Sequence, residues 1–113
     1  NGTVTVLNVL DEYYPDYAPE GYRAIIDEKH RVLRRRKIRE LLVSGGVDPD
    51  SVSLDCIIGE PGTEITRRAG ELETELIVIP SHGRGGVQRL LLGSVAERVA
   101  RLAPCNVLIL KND

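Results

Sequence analysis

Between Glu75 and Ser94 the chain runs through a short apolar segment, Leu76-Ile77-Val78-Ile79, then Pro80-Ser81-His82-Gly83-Arg84-Gly85-Gly86, then Val87 to Leu92, and ends on Gly93-Ser94. The chemistry open to such a stretch is anion binding. A buried strand that empties into a glycine loop before a helix start presents backbone amides, and open parallel sheets hold ligands in the crevice beyond their strand ends. The loop has no Gly-Lys-Ser/Thr ending, and Gly83, Gly85 and Gly86 do not make the dinucleotide spacing. A second reading stays open beside the first: three glycines simply let the chain turn sharply between strand and helix. Ser94-Val95-Ala96-Glu97 also has the form of a capping box, which would satisfy part of the helix's amides internally.

Hydrolysis or phosphoryl transfer would require a metal-binding acid near the phosphates and a base to position the attacking group. Near the loop stand His82, Arg84 and Arg89, with Asp11 and Glu12 as the nearest acidic candidates. His82 reads as a loop-stabilising or phosphate-contacting imidazole ahead of a general base. No Ser-His-Asp or metal-ligand spacing stands out, so no catalytic and no metal residue is assigned, and any turnover is expected to be slow.

The elements that must carry this loop follow from the hydrophobic pattern. Thr3 to Leu10 is β-branched and nearly continuous in apolar character, as in a strand covered on both faces. Asp11 to Glu20, with two prolines and Tyr13, Tyr14 and Tyr17, reads as a loop whose tyrosines cover core or line a pocket. Glu20 to Ser44 has helical composition, with Tyr22, Ile25, Ile26, Leu33, Ile38, Leu41 and Leu42 as an imperfect stripe that Gly45-Gly46 ends. Val52 to Ile58 alternates like a strand near a sheet edge. Pro61 suits the first position of a short helix whose Ile65, Ala69 and Leu72 face the sheet. A last helix is expected to bury Val87, Leu90, Leu91, Val95, Val99 and Leu102 until Pro104 ends it, and Asn106 to Leu110 is the final strand. Strand and helix alternate throughout, the order of an α/β parallel sheet with helices on both faces.

Length and composition narrow the function classes. One domain spanning residues 1–113 is expected, and 42% hydrophobic residues suffice for a core. A net charge of -2 with interspersed signs marks neither a nucleic-acid nor a membrane binder, and the run Arg34-Arg35-Arg36-Lys37 reads as a solvated helix face. No apolar run approaches the roughly 20 residues of a membrane span, and a cytoplasmic location is the default. Cys56 and Cys105 read as small buried hydrophobes.

With these residues in place the chain resembles the universal stress protein family. The resemblance rests on Ile77 to Gly83, nine further residues, Gly93-Ser94-Val95-Ala96, and the closing Ala103-Pro104-Cys105-Asn106-Val107-Leu108-Ile109. Thr5 to Val9 and Gly59-Glu60-Pro61 fit it as well, so nearly the whole chain is covered. What the resemblance implies is a flavodoxin-like, adenine nucleotide alpha hydrolase-like sheet and a homodimer through the last strand, Val107 to Leu110. It also implies a site for ATP, or for AMP or ADP, with or without Mg. Carried over position by position, Gly83, Gly93, Ser94 and Val95 would meet phosphates and ribose, and Val9 would pack near the adenine. Pro80, Ser81, His82 and Arg84 complete the nucleotide-binding set.

Two departures qualify that picture. The family's motif begins with glycine where this chain has Pro80, which has no N–H and a fixed φ. A dimeric protein-interaction module that binds no nucleotide is therefore the alternative. Family domains also begin with a strand and helix ahead of the segment that opens this sequence, the strand lying between those at Thr3–Leu10 and Leu76–Ile79. Its absence would leave two rows of backbone groups unpaired, so an N-terminally incomplete domain is expected ahead of a rearranged four-stranded sheet or a strand lent by a partner.

Overall fold

The computed structural model describes residues 2–10, 19–81 and 92–111. The chain falls into two compact units, Asn1–Gly59 and Glu60–Asp113. The α/β class and the parallel pairing hold in each. Among the described residues the four strands form two separate two-stranded sheets.

The first unit contains β1 (Thr5–Leu10), α1 (Glu20–Ser44), a one-turn 3₁₀ helix (Pro49–Ser51) and β2 (Ser53–Ile58). β1 and β2 pair parallel from Thr5 opposite Ser53 to Leu10 opposite Ile58. α1 ends where the sequence implies: Gly46 takes φ +82°, and the Val47 amide donates to the Leu42 carbonyl at 2.8 Å. The expected stripe is only partly right. Ile26, Ile38 and Leu42 are half-buried, whereas Tyr22, Ile25, Leu33 and Leu41 are exposed. Arg31 and Arg34 share the half-buried line, because long basic side chains can lie along a neighbouring strand with their heads in water. The Arg35 guanidinium reaches the Leu54 carbonyl of β2 at 2.6 Å.

The second unit contains α2 (Pro61–Glu71), β3 (Leu76–Pro80), α3 (Ser94–Leu102) and β4 (Asn106–Leu110). β3 and β4 are parallel, from Leu76 opposite Asn106 to Pro80 opposite Leu110. Period-two alternation sorts their side chains. Ile77, Ile79, Val107 and Ile109 face a core completed by Ile65, Val95, Ala96, Val99 and Ala103, with Val99 fully buried. Leu76, Val78, Leu108 and Leu110 take the other face and stay about half exposed. Leu72 and Leu102, expected to be inward, are also exposed, since each sits at the end of its helix past the last turn that meets the sheet. Both cysteines are half-buried thiols, less enclosed than the sequence implies.

α2 and α3 meet at a close approach. A Cβ on Gly62 would lie 2.5 Å from Arg98 Cδ, so glycine lets the arginine stem cross the start of α2. From there the Arg98 guanidinium reaches Thr63 Oγ1 at 3.3 Å and lies 3.8 Å from the Glu60 carboxylate.

Candidate anion site at the start of the third helix

β3 continues through Pro80, whose missing N–H leaves the next residue to extend the ladder. The Ser81 amide does so, donating to the Leu110 carbonyl at 2.8 Å. The Ser81 carbonyl in turn accepts the Gly93 amide at 2.7 Å, and Ser81 is buried. One residue thus ties together the end of β3, the end of β4 and the entry to α3. His82, Gly83, Arg84 and Arg89, and the expected helical residues Val87, Leu90 and Leu91, lie outside the described residues, as do the tyrosines of the Asp11–Tyr17 segment.

The entry to α3 differs from the capping box that its sequence suggests. Gly93, extended at φ -64° and ψ 155°, is the N-cap, and its carbonyl accepts the Glu97 amide at 2.9 Å. Ser94 is therefore the first helical residue, one position too late for its hydroxyl to cap, and no side-chain cap bond forms. The Ser94, Val95 and Ala96 amides are left without a side-chain acceptor among the described residues. Gly93 is different, because its amide is already engaged by Ser81.

The other helix of this unit makes the contrast. At the start of α2 the Glu60 carboxylate accepts the Gly62 amide at 3.1 Å and the Thr63 amide at 2.6 Å. Hydrogen bonding from the Thr63 side chain, and then from its amide, holds the Glu60 carboxyl below the usual carboxylate range. An internal anion thus already fills the α2 terminus, whereas no side-chain acceptor among the described residues fills the α3 terminus. Sequence reasoning missed this cap. An acidic residue directly before a helix-starting proline, as in Glu60-Pro61, was the available signal.

Of the expected site residues, Pro80, Ser81, Gly93, Ser94 and Val95 come together here. Ser94 is exposed and Val95 half-buried. Val9 belongs to the first unit, half-buried in β1 opposite Ile57. The chemistry available at the α3 entry is the binding of a small anion by consecutive amides and a hydroxyl.

Comparison with known proteins agrees with the fold. The sequence pattern of the Universal stress protein family matches residues 1–111. A Staphylococcus haemolyticus protein carrying the universal stress protein name is 31% identical over 97% of this chain and 67% of its own length. Universal stress protein MJ0531 of Methanocaldococcus jannaschii is 37% identical over 67% of this chain, which spans 43% of that relative. Among solved structures, protein MJ0577 superposes with a TM-score of 0.78 at 26% identity, covering 98% of this chain and 76% of the other. The universal stress protein UspA from Lactobacillus plantarum superposes at 0.72 with 22% identity, over 96% and 77% respectively, a likeness of fold. A strand ending at a tied-down Ser81, an uncapped helix start after Gly93 and this matching pattern converge: the chain belongs to the universal stress protein family.

Proposed function

We propose that this chain is a stress-response module that binds an adenine nucleotide, ATP or its AMP and ADP relatives, with or without Mg. The observation that carries the reading is the uncapped α3 entry, tied to the end of β3 by the Gly93 amide on the Ser81 carbonyl, where the Ser94, Val95 and Ala96 amides have no side-chain acceptor among the described residues. In this reading Ser94 and Val95 hold phosphate oxygens, and Gly93 allows close approach without donating. Ser81 fixes the geometry. By family motif, His82, Gly83 and Arg84 belong to the phosphate side of the nucleotide-binding set and Val9 to its adenine side. A cytoplasmic location is part of the proposal; no helix among the described residues is long and apolar enough to cross a membrane.

Calorimetric titration with Mg-ATP tests it, using Ser94→Asp as the discriminating variant. A carboxylate at the first turn suits the helix dipole but repels phosphate. The expected result is saturable binding that Ser94→Asp weakens at least roughly tenfold while leaving thermal stability unchanged or raised. Absence of heat with ATP, ADP and AMP would overturn the proposal.

Pro80 favours a second reading, a dimeric interaction module without nucleotide. Both readings include association through β4, whose Leu108 and Leu110 are exposed. Sedimentation of the wild type as a monomer at high concentration would remove that element from both.

A further inference from the structure

We infer that the groove between α1 and the Pro49 turn docks an acidic, amphipathic helix of a partner protein. The cavity measures about 740 Å³ and lies wholly within the first unit. Its floor is aliphatic, formed by Val32, Val43 and Pro49, with Val32 and Val43 exposed. The Arg35, Arg36 and Arg39 side chains also line it, with Glu40 as the one lining carboxylate and Asp50 held by Arg39.

The charges are available. From Arg31 to Arg39 the helix carries six cations and no acid, Arg31, Arg34, Arg35, Arg36, Lys37 and Arg39. Arg39 pairs with Asp50 at 3.2 Å, and Arg35 donates to the Leu54 carbonyl at 2.6 Å. Each guanidinium keeps further donors, because five N–H groups are present and those contacts use only one. Arg36 has no partner among the described residues. Guanidiniums recognise carboxylates in a fixed fork, which gives an acidic ligand both register and affinity.

The aliphatic floor selects among polyanions. A nucleic-acid backbone gains nothing from Val32, Val43 and Pro49, and among the described residues no aromatic side chain lines the groove for a base to stack on. A second copy docking the same face by two-fold symmetry would set arginines against arginines. Val32 and Val43 stand eleven residues apart on α1, about 16 Å along its axis, which matches three turns of a docked helix. Such a helix would lay apolar side chains on the floor and carboxylates against the arginines.

Titration of the whole chain with a fluorescein-labelled helical peptide, leucine along one face and glutamate along the other, tests this. Anisotropy is expected to saturate with a Kd at or below about 100 µM. Arg36→Glu should weaken it roughly tenfold and Val43→Asp several-fold, whereas Arg101→Glu on α3 should have no effect. Both groove positions are exposed, and circular dichroism confirms that the variants remain folded. No saturable binding, binding indifferent to Val43→Asp, or equal competition by an oligonucleotide of matched charge would each overturn the inference.

Discussion

The Gly93 amide donates to the Ser81 carbonyl at 2.7 Å, closing the chain on itself where β3 stops and α3 begins. That bond decides which donors remain for a ligand. It engages the cap residue's own amide, while Gly93 is extended and the helix starts at Ser94 with no side-chain cap among the described residues. An anion site here rests on one internal hydrogen bond being made and a side-chain cap not being made.

Replacing Gly93 with proline isolates the bond. Gly93 already has φ -64°, the value a proline ring imposes, so the change deletes one donor without straining this residue. The buried Ser81 carbonyl then loses that partner, a cost of about 1–3 kcal/mol, partly offset by the proline's effect on the unfolded chain. Urea unfolding should show a net loss of about 1 kcal/mol for Gly93→Pro and a much smaller change for Gly93→Ala, which keeps the donor.

Gly62 and Arg98 should behave as a coupled pair. Alanine at position 62 has the better helix propensity, but its Cβ would stand 2.5 Å from Arg98 Cδ and push the side chain off Thr63 and Glu60. With Arg98→Ala in place the three atoms nearest that methyl, Arg98 Cδ, Cγ and Nε, are removed. Gly62→Ala should therefore be near neutral alone and stabilising in the Arg98→Ala background. A double-mutant cycle in urea should return a coupling of about 0.5 kcal/mol or more.

How far the sequence could be read differs between these places. Strand positions, the Glu20–Ser44 helix and Pro61 at the start of α2 were legible because apolar periodicity and proline geometry act locally. The entry to α3 was not. Ser94-Val95-Ala96-Glu97 fits a capping box, and only the non-local bond from Gly93 to Ser81 shifts the helix start by one residue and leaves the box unformed. The α1 stripe failed for a related reason: Arg31 and Arg34 occupy half-buried positions that a hydrophobicity pattern gives to apolar residues. The expectations for His82, Gly83 and Arg84 rest on motif alone.

Acid should loosen the start of α2 first. Glu60 has its carboxyl pKa lowered by hydrogen bonds it makes only when α2 is formed, from a reference value of 4.5. A group with a depressed folded pKa contributes stability above its unfolded pKa, and the contribution is lost as pH falls through the folded one. Thermal midpoints should therefore decline as pH drops below about 4.5, and Glu60→Gln should flatten that part of the profile while lowering stability at neutral pH. A Glu60→Gln profile parallel to wild type would show that other carboxylates dominate the acid limb.

Pro80 offers the sharpest probe of the ligand. It closes β3 opposite Leu110, one residue before Ser81, and it stands where the family resemblance implies the first glycine of the motif. If an amide at this place faces the phosphates, proline withholds a hydrogen bond to a charged group worth about 1.5–3 kcal/mol, roughly 10- to 100-fold in affinity. Pro80→Gly restores the donor and should tighten nucleotide binding by that factor in calorimetry. It should also cost stability, because glycine loosens the unfolded chain that proline restrains. Tighter binding with lower stability would assign the site to the end of β3. Lower stability with unchanged affinity would place the phosphates on the α3 amides alone, with Ser94 and Val95 as their principal donors.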